Sequence, residues 1–200
     1  DCFVYLLNQR DQNMSVALCE RAVYSGKRQF VRAILNRGYA PTTDLIDIAI
    51  NNRDIYMVEC LIANGCAGSS KSCEVAVQRN QPNILTVLIR AGCSVGNSAS
   101  IAAKHDHIGC LRAMIMMGSI ITDQALTVSI CYRRSEFVKA IMIQRKINPK
   151  TSVYTVAASL KSVQCLKYLD RIGCVPDADS LTAAVLSGDQ QCTDHILALS

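Results

Sequence analysis

The chain has 200 residues, 50% hydrophobic but only 5% aromatic, with no tryptophan and a formal net charge of +5. Its longest apolar run, near Ala113 to Ile121 and bracketed by Arg112 and Asp123, falls short of the roughly 18 to 20 residues a membrane helix needs, so no membrane insertion is expected. No signal-peptide pattern opens the sequence, and so modest a charge speaks for solubility rather than for a particular partner.

In chain order, residues 1–14 answer to the back half of a unit: Phe3-Val4 and Leu6-Leu7 match Phe30-Val31 and Ile34-Leu35. The first full unit spans 15–43, and Pro41 breaks its exit loop. The unit 44–70 is the clearest. It predicts a helix over Leu45 to Asn51, a tight turn at Asn52-Arg53-Asp54 and a second helix over Ile55 to Asn64. Gly65 then supplies the left-handed backbone that stops a helix without a Cβ clash. In the unit 71–96, Pro82 opens the second helix, where its missing N–H costs nothing. The unit 97–123 carries His105-Asp106-His107 in its turn. In 124–151, Arg145 stands where a stop glycine is due, so that exit is expected to be strained or reshaped. The unit 152–178 restores Gly173, and 179–200 echoes the first, with Ala184-Val185-Leu186-Ser187-Gly188 beside Ala22-Val23-Tyr24-Ser25-Gly26. Residues 1–200 are expected to form a single repeat domain, begun and ended inside a unit and so a segment of a longer protein.

The register is fixed by columns. The first-helix alanine recurs as Ala22, Ala49, Ala76, Ala102, Ala157 and Ala184, with Ser129 in the gap, at steps of 27, 27, 26, 27, 28 and 27 residues. The stop glycine recurs as Gly38, Gly65, Gly92, Gly118 and Gly173. Second helices carry Val31, Val58, Leu85, Leu111, Val138 and Leu166, followed three residues on by Ile34, Leu61, Leu88, Met114, Ile141, Leu169 and Ile196. Helices this short are marginal alone and must lean on neighbours, which is the physical reason for repeating them. The expected class is all-α, a solenoid of paired antiparallel helices.

Eleven cysteines need an assignment. Cys110, Cys165 and Cys192 share a second-helix column with Phe30, Met57, Ile84 and Phe137. Cys19 and Cys73 share a first-helix column with Ile46 and Leu126, and Cys66, Cys93 and Cys174 follow the stop glycine. Same-column residues in adjacent repeats should lie about 8 to 10 Å apart, beyond the roughly 7 Å that a disulfide spans. They read as small buried hydrophobes of a reducing, intracellular (cytoplasmic or nuclear) compartment. The sharper alternative, a zinc site on the Cys66/Cys93 column, lacks the His or Cys spacing such sites show.

The pattern of Ala-Val-x-x-Gly/Asn followed by Val-x-x-Leu-Ile-x-x-Gly resembles the ankyrin repeat over essentially the whole chain, most nearly the divergent repeats of large DNA viruses. Two departures stand out. The ankyrin period is about 33 residues and opens on Thr-Pro-Leu-His; here the period is near 27 and that tetrapeptide is missing. The residues left out fall between units, so the hairpin fingers of the family are expected to be stubs. The resemblance implies a curved rod with first helices on the inner face and second helices outside.

On that inner face one column runs Glu20, Asp47, Glu74, Ser100, Thr127, Thr155, Thr182, and another runs Tyr24, Asn51, Gln78, Lys104, Cys131, Ser159, Leu186. Varied residues at a fixed exposed position are what a partner-reading surface needs, against the plainer view that they are merely solvated. The candidate contact residues are Glu20, Tyr24, Asp47, Asn51, Glu74, Gln78 and Lys104, and the expected function is a scaffold that binds a protein partner through its concave face and loops. Basic residues gather in the turns between paired helices (Lys27-Arg28, Arg53, Arg79, Arg133-Arg134, Lys161) and on outer helices (Arg32, Arg90, Arg112, Lys139, Lys167). That edge makes nucleic acid or an acidic partner the alternative, weakened by the scarcity of aromatic stacking platforms. A third possibility is an architectural segment self-associating through apolar ends. Walker, dinucleotide, zinc-protease and nucleophile-elbow signatures are missing. The histidines at 105 and 107 flank a turn aspartate, so no enzyme, cofactor or metal is expected.

Overall fold

The computed structural model describes residues 12–39, 41–145, 151–171 and 173–199. Among these the chain is all-helical, with fourteen helices and no strand. It divides into two compact units, Asp1–Ser98 and Ala99–Ser200. In unit 1 the pairs are α1 (Gln12–Tyr24) with α2 (Arg28–Leu35), α3 (Thr43–Asn51) with α4 (Ile55–Ala63), and α5 (Ser70–Gln78) with α6 (Pro82–Arg90). First helices pack on first helices, α1 on α3 on α5, and second helices on second, α2 on α4 on α6. Unit 2 takes α7 (Ser98–His105), α8 (Ile108–Met116), α9 (Asp123–Cys131), α10 (Ser135–Arg145), α11 (Thr151–Ser159), α12 (Val163–Arg171), α13 (Ala178–Ser187) and α14 (Gln190–Leu197). There α9, α11 and α13 pack in sequence, as do α8, α10, α12 and α14.

The columns explain the packing. The first-helix position held by Ala49 is buried in every described unit, and a small residue there lets neighbouring helices approach closely. Ser129 fills its gap without leaving a polar group unmet, because its hydroxyl donates to the Ala125 carbonyl at 2.6 Å. The second-helix position of Leu61 is likewise buried throughout, and that of Val58 in every pair but the last, where Thr193 is half-buried. Phe30 departs from its column: Met57, Ile84, Cys110, Phe137, Cys165 and Cys192 are buried there, but Phe30 is 39% exposed. It belongs to the first described pair, where no described unit precedes it.

The chain bends through positive φ between paired helices and again at the glycine exits, and the two bends differ in what they tolerate. Between paired helices the φ values are 56° at Arg53, 52° at Asn80, 63° at Asp106, 55° at Arg133 and 58° at Lys161, with Gly26 and Gly188 at 67° and 69°. Those angles lie in the small left-handed region open to L-residues. At the exits Gly38, Gly65, Gly92 and Gly173 sit at 84° to 87°, outside that region, which is why glycine persists there, while Gly118 at 71° stands at its border. Where Arg145 replaces it, the helix does not stop: α10 runs through Arg145, whereas α4 ends at Ala63, two residues short of Gly65. Residues 146–150, where the rest of that exit falls, lie outside the described residues. The exits 64–69, 91–97 and 117–122 contain no strand, so the fingers are stubs, as expected.

Candidate functional site

A first helix spends its last turn on two buried residues and one exposed one. After Ala22-Val23, Ala49-Ile50 and Ala76-Val77, all buried, come Tyr24, Asn51 and Gln78, all exposed, with Tyr24 at 74%. Because α1 packs on α3 and α3 on α5, these three lie in one row, a phenol followed by two carboxamides. Lys104 holds the same position on α7 in unit 2 and is exposed, as are Cys131, Ser159 and Leu186.

The acidic column behaves differently. Glu20 is exposed, but Asp47 and Glu74 are half-buried. Asp47 accepts a hydrogen bond from the Ser72 hydroxyl at 2.7 Å. Ser72 is the third residue of α5 and already closes a capping box with Ser69. Glu74 accepts from the Asn97 amide at 3.4 Å. These carboxylates tie one repeat to the start of the next. The sequence signal for this was the serine pair Ser69/Ser72 one unit after Asp47.

Along the turns, neighbouring repeats are clasped. Arg28 meets Asp54 at 3.0 Å and lies 4.8 Å above the Tyr56 ring. Arg134 meets Asp106 at 2.9 Å. Asn52 donates to the carbonyls of Val23 and Tyr24, and Gln81 to that of Ile50 at 2.9 Å, so helix-end carbonyls find partners one repeat on. On the second helices, Arg28, Arg32, Tyr56 and Glu59 line a cleft of about 410 Å³.

No family model and no curated protein matches the sequence. Solved structures do. The ankyrin repeat domain of Bcl-3, described as a unique member of the IkappaB protein family, superposes with a TM-score of 0.69 at 13% identity, over 90% of this chain and 97% of that one. The human ASB11 ankyrin repeat domain superposes at 0.57 and 14% identity, over 84% of this chain and 96% of that one. The chain has the ankyrin-repeat fold.

Within this ankyrin-repeat framework the cysteines pack as the columns imply. Among the described residues ten are free thiols, and of these Cys131 is exposed while the other nine are buried. Burial pushes the Cys19, Cys66 and Cys174 thiols up to about 11, and those of Cys73 and Cys192 to about 12, away from the thiolate that reacts or binds metal. One contact escapes same-column reasoning. The Cys73 and Cys93 thiols, from a first helix and from the exit of the same repeat, lie near enough to each other that Cys93, after burial, helps raise the Cys73 thiol. The His105 and His107 rings stack with centroids 5.7 Å apart. Among the described residues, no three His, Cys, Asp or Glu side chains are grouped to hold a metal ion.

Sequence reasoning also passed over a partly buried polar network in unit 2. Tyr154 occupies the apolar column of Cys19, Ile46, Cys73 and Leu126, and it is fully buried. Its hydroxyl donates to Asp170 at 2.8 Å, and the other oxygen of Asp170 meets His195 Nε2. Burial, with the Asp170 hydrogen bond second, holds the Tyr154 hydroxyl in its neutral form far above the usual range. The three side chains come from α11, α12 and α14, and the network pins them together.

Proposed function

We propose that this ankyrin-repeat chain is a binding scaffold for a protein partner, and that the contact is made through the exposed row of its first helices together with the adjoining loops. The observation that carries this is the row Tyr24, Asn51, Gln78: exposed at a fixed position, chemically varied, and underlain by columns that scarcely vary. A solenoid whose core is repetitive and whose surface row is not has its information on that row. Tyrosine at one end supplies a large, rigid contact of the kind that dominates interfaces. Glu20, beside Tyr24 on α1, extends the row with an exposed carboxylate, and Lys104 carries the same position in unit 2.

Asp47 and Glu74 are poor positions for the test, since both hold the start of the next unit. Tyr24→Ala with Asn51→Arg is the better choice, because neither side chain supports a neighbour. Partner capture from lysate, identified by mass spectrometry, should fall by roughly tenfold or more on loss of one such aromatic anchor while the helical circular dichroism stays unchanged. Capture that is undiminished in this double variant would remove the row from the interface.

A further inference from the structure

At the turn edge of unit 2, Arg133, Lys161, Ser162, Gln164, Asp189 and Gln191 line a cleft of about 460 Å³. Arg133 and Lys161 stand at the left-handed turn positions of consecutive repeats, with φ of 55° and 58°. Neither has an ion-pair partner among the described residues, whereas Arg134 next door is spent on Asp106. The floor is the start of α12. Its first turn leaves amide N–H groups without helical acceptors, since the Leu166 amide is the one that reaches back to the Ser162 carbonyl, at 3.0 Å. Ser162 is 3% exposed, and its hydroxyl has the Cys165 thiol near it but no oxygen or nitrogen partner. Two unspent cations, a buried hydroxyl lacking an acceptor and a helix N-terminus therefore converge on one cavity.

We propose that this cleft takes the phosphoryl group of a phosphorylated serine or threonine on a protein partner. A carboxylate offers two oxygens to this donor set, while a phosphoryl group offers three and carries up to two negative charges, matching both cations and the helix end. Asp189 lowers the net charge of the rim. A polynucleotide is disfavoured. It would need a continued track of cations, and the corresponding turn positions carry Asp106 before Arg133 and Gly188 after Lys161. The proposal stands apart from the first-helix row, which lies on other residues.

The test uses a short peptide with a central phosphoserine, its glutamate and unphosphorylated counterparts, inorganic phosphate, and a single-stranded RNA, each titrated into the ¹⁵N-labelled chain at about 0.1 M salt. The phosphopeptide should shift the Val163 and Gln164 amides saturably and bind about tenfold or more tightly than the glutamate peptide, one charge-assisted bond being worth that much. Arg133→Asn with Lys161→Asn should abolish binding without unfolding, because Asn80 already occupies the same turn position at φ 52°. Ser162→Ala should weaken binding several-fold while thermal stability holds or rises, whereas a hydroxyl with a structural role would lower it. Retained binding in the double asparagine variant would overturn the proposal. So would equal affinity for inorganic phosphate, or tighter RNA binding that collapses with salt.

Discussion

Between consecutive first helices, unit 1 places a carboxylate where unit 2 places a hydroxyl. Asp47 reaches Ser72 at 2.7 Å, and at the matching positions Thr155 stands 3.4 Å from Ser180. The clasps along the turns also swap sense, with arginine in the earlier repeat for Arg28–Asp54 and aspartate in the earlier one for Arg134–Asp106. In the core, unit 1 fills the first-helix column with Cys19, Ile46 and Cys73, while unit 2 commits Tyr154, Asp170 and His195 to a polar network. The backbone plan demands only that a small residue, an apolar pair and a satisfied helix start recur. The chemistry that meets each demand is free to differ between halves.

Core truncation is the harshest way to probe that division. Leu61→Ala should cost about 2–5 kcal/mol by urea unfolding, with hydrogen exchange placing the loss in unit 1, and Leu169→Ala should do the same in unit 2. A loss spread evenly over both units would erase the distinction. Alkaline pH should act on both. The thiols of Cys19, Cys66 and Cys73 in unit 1, and of Cys174 and Cys192 in unit 2, are raised from 9.0 to about 11 or 12. The folded chain therefore holds protons that the unfolded chain has released above pH 9. Their stabilisation is complete below pH 9 and is lost as pH rises through about 11 for Cys19, Cys66 and Cys174 and about 12 for Cys73 and Cys192, at up to ~1.4 kcal/mol per pH unit for each thiol. Cys73→Val should flatten that slope in denaturation curves between pH 9 and 11, and an unchanged slope would contradict the assignment.

Tyr154→Phe leaves Asp170 without one of its two donors and should cost about 1–3 kcal/mol, a change read by thermal unfolding that has no counterpart at Ile46 in unit 1. The smallest effect is expected at the turns. Arg53→Gly and Arg133→Gly relieve a left-handed residue of its Cβ at some cost in chain entropy, for a net gain of up to ~1 kcal/mol. Gly65→Ala, at φ 87°, should destabilise instead. If both kinds of substitution moved the melting temperature in the same direction, the two bends would not differ as described.

The helix pairs, their stop glycines and their buried columns were legible in the sequence because each leaves a periodic mark: Thr43–Asn51 and Ile55–Ala63 fall within a few residues of the spans read from the unit 44–70. Pro82 does open its helix at the first position. What did not show was chemistry that occurs once. Tyr154 sits in an apolar column and Asp170 at another, so neither marks the other as a partner until three helices bring them together. Asp47 looked like part of an acidic face because periodicity reports which side of a helix a residue occupies, not which neighbour it reaches. The positive φ of the inner turn was hidden for a different reason. Arg53, Asn80, Asp106, Arg133 and Lys161 span four residue types, because that backbone shape does not require one.

That indifference has a consequence for how such a chain can change. At the exits held by Gly38, Gly65, Gly92 and Gly173 the corner lies beyond what a residue with a Cβ readily adopts, so substitution there is expected to destabilise. At the inner turns, the corner is already drawn within reach of ordinary amino acids, so basic, acidic or amide groups can be exchanged at the rim without redrawing the scaffold. The turn edge of each unit is thereby left open to trial, and new specificities can be acquired there one letter at a time.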